Sequence, residues 1–252
     1  MRIRGIRTAL AVIVAGMTLA FHGMLQAEPV DKALQDKLRK ALEQPERGLA
    51  IGTIEASTVP GIYAVQFVAG PVVYATADGK YFFLGDLHQV TGDGFVNITE
   101  QRRDVQRKEL LAAVDPKDMI VFSPKGEPRA TISVFTDVTC FYCQKLHLEV
   151  PELTKNGVEV RYLAYPRAGV GSDGYSMLAT AWCSDDPQDT LTRLKAKQSV
   201  PEKDCDDNPI AEQFQLGQTL GVRGTPAIVT EDGRLIPGYQ AADELMANIG
   251  LK

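Results

Sequence analysis

The sequence predicts an α+β chain in three parts: a small antiparallel α+β domain, a linker helix, and a larger domain in which strands and helices alternate. Three observations predict it. Short strand-like runs with a tight-turn signal fill Ile51 to Leu84, charge surrounds the helix-competent stretch Asn97 to Val114, and β-type runs alternate with helical ones from Met119 onward.

In the first part, Asp31 to Gln44 sets Leu34, Leu38, Ala41 and Leu42 on one helical face and stops at Pro45. Ile51–Glu55, Ile62–Val68, Val72–Thr76 and Tyr81–Leu84 read as strands, the last two joined across Asp78-Gly79, a hairpin signal. A unit of about 65 residues has a thin core and open sheet edges that a second copy would cover. That argument predicts a homodimer joined through residues 28–96; a monomer whose edges are guarded by charge is the alternative.

Within Asn97 to Val114, the residues Glu100, Arg102, Arg103, Asp104, Arg107, Lys108 and Glu109 put charge nearly all round a helix. A helix polar on most faces bridges domains, and a charged run is also simply a solvated face. Asn97 with Glu100 suits the helix start and Asp115-Pro116 its end, which places the linker at 97–116.

From 117 to 252, Met119–Phe122 and Arg129–Phe135 are strands, a helix opens near Cys140, and Val158–Tyr165 follows the Asn156-Gly157 turn. Strand, helix and strand make a βαβ unit with a parallel pair. Gly174 to Leu220 is helical, Ala227–Thr230 and Arg234–Pro237 form a hairpin over Glu231-Asp232-Gly233, and Ala242–Leu251 closes with a helix. The order β-α-β, helical insertion, β-β-α is that of a thioredoxin fold.

Arg2, Arg4 and Arg7, an apolar stretch from Ala9 to about Phe21 and Leu25-Gln26-Ala27 read as a secretory signal peptide over 1–27. The apolar stretch is short of the about 20 residues that a membrane span needs. The mature chain is therefore expected in the periplasm or an equivalent oxidising space. Losing three arginines takes the 27 basic residues to 24 against 32 acidic ones, a formal charge of −8. Nucleic acid is excluded as a partner on that balance.

Cys140-Phe141-Tyr142-Cys143 lies between a strand and a helix. A cysteine at a helix start meets unpaired backbone N–H groups and the positive end of the helix dipole, which favour its thiolate. Cys140 is the expected nucleophile toward disulfides, provided its sulfur is ionised and accessible at neutral pH. Cys143, one turn on, can close a disulfide with Cys140 and release whatever is attached there. A zinc site would want four ligands in close pairs, yet Cys183 and Cys205 stand far apart and one of three histidines, His22, lies in the leader. A static structural disulfide is the other alternative. Four cysteines allow three pairings, and spacing alone does not choose among them.

Phe135-Thr136-Asp137, Lys145-Leu146-His147, Tyr162 to Arg167, Trp182-Cys183, Gly221 to Ala227 and Pro237-Gly238-Tyr239 together carry a resemblance, extended upstream by Pro60-Gly61-Ile62 and Asp78-Gly79-Lys80. On these motifs the chain resembles the DsbC/DsbG family of periplasmic thiol:disulfide isomerases over nearly all its mature length. The resemblance implies a V-shaped homodimer whose two thioredoxin-like domains face each other across a cleft. It implies a cis Thr225-Pro226 peptide beside the cysteines, against the usual trans preference of X-Pro bonds. Thr225 and Pro226, with Phe141 and Tyr142, would then hold an extended client. Cys183 and Cys205 become a structural disulfide, a loop closure of about 3 kcal/mol on chain-entropy grounds. Also implied are misoxidised or unfolded client proteins, a DsbD-like membrane thiol reductase as electron donor, chaperone activity, and neither metal nor cofactor.

Three departures stand out. Phe141 replaces the glycine or proline of the relatives, Gln144 replaces a common histidine, and Val134 sits where thioredoxin has a buried acid. The acceptor of the Cys143 proton is thus open, with His147 either a candidate or an ordinary helix-surface histidine. The functions expected are disulfide isomerase first, then reductase of sulfenylated single cysteines, then non-enzymatic holdase.

Overall fold

The computed structural model of the chain describes residues 30–68 and 70–251. The leader read at 1–27 lies outside them. Helix α1, Lys32–Leu42, starts where the Asp31 carboxylate accepts the Leu34 N–H at 3.0 Å, and its Leu38 is fully buried. Strands β1 Ile51–Ala56, β2 Ile62–Phe67, β3 Val72–Thr76 and β4 Phe82–Leu84 form an antiparallel meander in chain order. Gly79, at φ 70°, makes the β3–β4 turn that a side chain would strain. Leu38, Ile51, Ile54, Val65, Phe67, Val73 and Ala75 form the core between helix and sheet.

A second hairpin, β5 His88–Thr91 and β6 Gly94–Asn97, is absent from the sequence expectations. All of β5 and half of β6 are exposed. With no buried face, these strands carry no apolar alternation to read.

Helix α2 spans Ile98–Ala112, with the Asn97 side chain accepting the Glu100 N–H at 2.9 Å. Its first turn belongs to the meander: the Thr99 and Tyr74 hydroxyls share a buried hydrogen bond of 2.6 Å, Arg102 pairs with Glu55, and Arg103 with Asp86 at 2.7 Å. Its second half docks on the larger domain, and the expected ring of solvated charge is broken there. Arg107 is 2 % exposed and donates to the Leu220 carbonyl at 3.0 Å and the Gly233 carbonyl at 3.1 Å, while pairing with Asp104 at 2.6 Å and with Glu100. Gly233, at φ 90°, lets the hairpin turn approach α2, since a Cβ there would stand 1.8 Å from the Asp104 carbonyl oxygen.

The larger domain runs β7 Ile120–Phe122, β8 Ala130–Thr136, α3 Phe141–Lys155, β9 Val158–Ala164, α4 Asp173–Trp182, α5 Pro187–Lys195, α6 Ile210–Thr219, β10 Ala227–Thr230, β11 Leu235–Pro237 and α7 Ala242–Asn248. Its sheet order is β11-β10-β8-β9-β7, with β8 and β9 parallel and the other pairs antiparallel. Both faces of the central pair are covered, as parallel strands require. Ile132, Val134 and Tyr162 join Leu146 and Leu153 in one core; Phe135, Leu163 and Tyr165 join Leu220 and Val222 in the other, which Leu110, Leu111 and Val114 seal. The segment read as one helical insertion is α4, α5 and α6, and Cys183 at the end of α4 is bonded to Cys205 ahead of α6.

Arg107→Ala leaves buried carbonyls and two acidic groups without their cation, so a loss of about 3 kcal/mol is expected in urea unfolding. A loss below about 1 kcal/mol, the scale of an exposed pair, would mean that water replaces the guanidinium at no cost.

Candidate active site at the Cys140–Cys143 turn

The end of β8 delivers the chain into a turn pinned by one carboxylate. Asp137 is buried and accepts from the Thr139 N–H and hydroxyl, both at 2.7 Å, and from the Arg167 backbone N–H at 2.9 Å and Nε at 3.2 Å. Burial pushes this carboxyl up, and the bonds from Arg167 and Thr139 outweigh it and hold it below the usual range. The turn therefore carries a fixed anion whose charge is already answered.

Cys140 follows as the N-cap of α3. Its backbone is extended, φ −82° and ψ 120°, and its sulfur accepts the Cys143 N–H at 3.4 Å, the place that a serine or aspartate oxygen takes at other helix starts. No acidic residue occupies the first turn to compete for that N–H. The Thr225-Pro226 peptide is cis, and the Thr225 carbonyl lies 3.1 Å from the Cys140 sulfur, which donates to it as a thiol. The Thr225 hydroxyl is buried beside both sulfurs with no hydrogen-bond partner meeting ordinary geometry among the described residues.

These surroundings split the two thiols. A hydrogen bond from the Cys143 thiol does most to lower Cys140; burial opposes it, and the Thr225 hydroxyl, the Cys143 N–H and the Arg167 charge add to the lowering. Burial pushes Cys143 far above the ordinary thiol range, and its bond to Cys140 pushes the same way. One sulfur is the anion and the other holds the proton. The carbonyl of Thr225 acts against the anion, and the Cys143 N–H at the helix start acts for it.

The expected accessibility is not met in this conformation. Cys140 is 2 % exposed and Cys143 fully buried, because the cis peptide lies against the first sulfur and α3 covers the second. Phe141 and Tyr142 are instead 66 % and 56 % exposed. Tyr142 stacks on Tyr239 with ring centres 6.5 Å apart, Phe141 meets Tyr142 edge-on at 5.4 Å, and Lys145 Nζ lies 4.4 Å from the Tyr239 ring centre. The Tyr239 hydroxyl donates to Glu149 at 2.7 Å. An aromatic platform thus flanks the cysteine turn.

His147 is not a surface residue. It is buried between Tyr162, whose hydroxyl is 3.0 Å from Nδ1, and Thr192, whose hydroxyl is 3.0 Å from Nε2. Burial first, then the charge of Lys195, bring its imidazole down to about 3, so it stays neutral. Sequence reasoning also missed what Asp137, Arg167 and Tyr239 do, although each sits in a motif that carried the resemblance. Cys183 and Cys205 lie in the helical layer as a bonded pair, Cα atoms 5.8 Å apart, leaving Cys140 and Cys143 as free thiols. Among the described residues no group of three metal-ligating side chains gathers here.

Two family models match the chain. Residues 26–100 match the model of the disulfide bond isomerase protein N-terminal domain, and residues 116–250 match a thioredoxin-like domain. The thiol:disulfide interchange protein DsbC of Escherichia coli is 38 % identical over 226 residues, covering 90 % of this chain and 89 % of that protein. The chain belongs to the DsbC family. DsbC of Salmonella typhimurium is 37 % identical over 231 residues, covering 92 % of this chain and 91 % of that protein. A disulfide interchange protein from Neisseria gonorrhoeae aligns over 55 % of this chain and all of its own, at 28 % identity and a TM-score of 0.48. Members of the DsbC family are thiol:disulfide interchange proteins, and that is the class of reaction this chain carries out.

A depressed thiol contributes stability that is present above its unfolded value, 9.0, and is lost as pH falls through its folded value, about 5. Denaturant unfolding of the reduced protein is therefore expected to show an advantage over Cys140→Ser that shrinks between those limits. An advantage that does not change over this range would mean that Cys140 is an ordinary thiol.

Proposed function

We propose that Cys140 attacks wrong disulfides in client proteins and that Cys143 is its resolving partner, making the chain a periplasmic disulfide isomerase with reductase capacity. The observation that carries this reading is the Cys140 sulfur at the α3 N-terminus, beside the Thr225-Pro226 peptide and flanked by exposed Phe141 and Tyr142.

The chemistry runs in two steps. The Cys140 thiolate forms a bond to one client sulfur and expels the other as a thiolate, giving a mixed disulfide. A different client thiolate then attacks the client sulfur held on Cys140 and frees Cys140, which is isomerisation with no net electron transfer, whereas return of the expelled sulfur only restores the original disulfide. Alternatively Cys143 attacks the Cys140 sulfur; the Cys140–Cys143 disulfide forms, the client sulfur leaves with two electrons, and the Cys143 proton ends on it. Deep burial of a reluctant Cys143 slows the second branch and gives the client time to rearrange.

Docking a client requires the sulfur to be uncovered, and an extended strand can do so by taking the hydrogen bonds of the Thr225 peptide. Thr225 and Pro226 also line a cleft of about 1240 Å³ between the two domains, walled by Gln66, Val68, Leu84 and Leu220. Pairing of two copies through the N-terminal domain is supported by Tyr81, Phe82, Phe83 and Leu84, all largely exposed on and beside an edge strand. The signal-like leader supports export, and a membrane thiol reductase of the DsbD kind would keep the pair reduced there. The domain limits proposed are 28–96, 97–116 and 117–252, and the Cys183–Cys205 bond is assigned a structural role.

Scrambled ribonuclease is expected to regain activity faster with the wild-type protein, and at the buffer rate with Cys140→Ser. Equal rates for the two proteins would end the isomerase reading. Phe83→Asp is expected to convert a sedimenting dimer to monomer; a wild-type monomer would remove the proposed interface.

A further inference from the structure

The last residue of α5 brings a cation into the interior at Thr136, the end of the strand that leads into the cysteine turn. Lys195 is 4 % exposed; its Nζ donates to the Thr136 hydroxyl at 2.7 Å and lies 5.3 Å from the Tyr162 ring centre. An ammonium has three donors, and Thr136 is the hydrogen-bond partner it has among the described residues. Burying such a charge without a carboxylate partner is strongly unfavourable, so something else must answer it. Asp137, the nearby acid, already accepts four bonds from Thr139 and Arg167.

The groups facing Lys195 come from four elements. They are Cys143 and His147 on α3, Cys140 and Asp137 at the turn before it, Tyr162 on β9, and Thr136 at the end of β8. His147 stays neutral, burial pushes the Tyr162 phenol far up, and Asp137 stays ionised. Only the two sulfurs change charge during the reaction, and Cys143 is the one to which Lys195 couples most strongly. Burial draws the ammonium down, and Cys143, Cys140 and Asp137 draw it part of the way back to about 8, which leaves it charged at neutral pH.

We propose that Lys195 is a positioning residue for resolution: its buried charge steadies the Cys143 thiolate as it forms, at a site where Val134 on β8 supplies no carboxylate base. The inference rests on the proposed roles of Cys140 and Cys143. Lys195 keeps its proton throughout. Cys143 bonds to the Cys140 sulfur, the Cys140–client bond breaks, the two electrons leave on the client sulfur, and the proton lost by Cys143 ends there. The charge at 195 thereby sets how often a mixed disulfide ends in reduction of the client and how often in rearrangement.

The test loads the mature full-length protein as a Cys140 mixed disulfide with a cysteine-containing peptide and follows peptide release against pH. Lys195→Met is expected to slow release about tenfold near neutral pH, the effect of one unit of thiol ionisation. Lys195→Arg, which keeps the charge, is expected to recover most of that loss. Wild-type release should lose its advantage as pH rises through about 8, where the ammonium deprotonates, and the methionine variant should show no such inflection. Release from Lys195→Met at the wild-type rate, or from Lys195→Arg as slowly as from Lys195→Met, overturns the role. If the methionine variant misfolds, the arginine variant and the wild-type inflection decide. A wild-type protein that forms no mixed disulfide at Cys140 would overturn the proposed function itself, a result distinct from release indifferent to residue 195.

Discussion

A sulfur standing where helices usually place an oxygen is the constraint on which the site depends. Cys140 caps α3, so the N–H of Cys143, the helix dipole and the Cys143 thiol all favour negative charge at one atom. Burial keeps Cys143 protonated, and its hydrogen bond to Cys140 pushes the same way. Asymmetry between attacker and resolver is thus built from the helix start and the burial of the second thiol behind it. The rest of the larger domain holds it in place: β8 ends at the turn, the Asp137–Arg167 bonds fix the turn, and the Thr225-Pro226 peptide lies against the sulfur.

Burial and reactivity are reconciled by the same arrangement. A thiolate left fully exposed in an oxidising compartment would be spent on small oxidants, whereas one covered by a peptide edge opens only to a partner able to replace that edge. Phe141, Tyr142 and Tyr239 offer apolar area beside it and the interdomain cleft continues it toward the N-terminal sheet. Unfolded segments, which present apolar side chains and unpaired backbone together, match both features. Helix α2 ties the two halves, with Thr99 anchored under Tyr74 and Arg107 buried under the hairpin turn of β10 and β11.

Much of this was legible in the chain. The antiparallel meander, the βαβ unit and the closing hairpin announce themselves because their apolar residues repeat with the period of the element, and the Asp78-Gly79 and Asn156-Gly157 turns punctuate them. The cysteine turn is legible because its chemistry is local, set by residues three apart at a helix start. What escaped depends on distant partners. Strands β5 and β6 bury too little to show a pattern. Arg107, His147 and Lys195 sit in charged or amphipathic stretches that read as solvated, and only the docking of α2 on the hairpin, and of α5 on α3 and β9, decides that they are inside.

The chemistry of the site depends on the charge of one atom, the Cys140 sulfur. Ultraviolet titration of thiolate absorbance in the fully reduced protein reads it directly. One thiolate is expected already at neutral pH, missing in Cys140→Ser and kept in Cys143→Ala at a reduced acidity, since that change removes the thiol bond but leaves the helix start. Two thiols that both remain protonated until the alkaline range would contradict it.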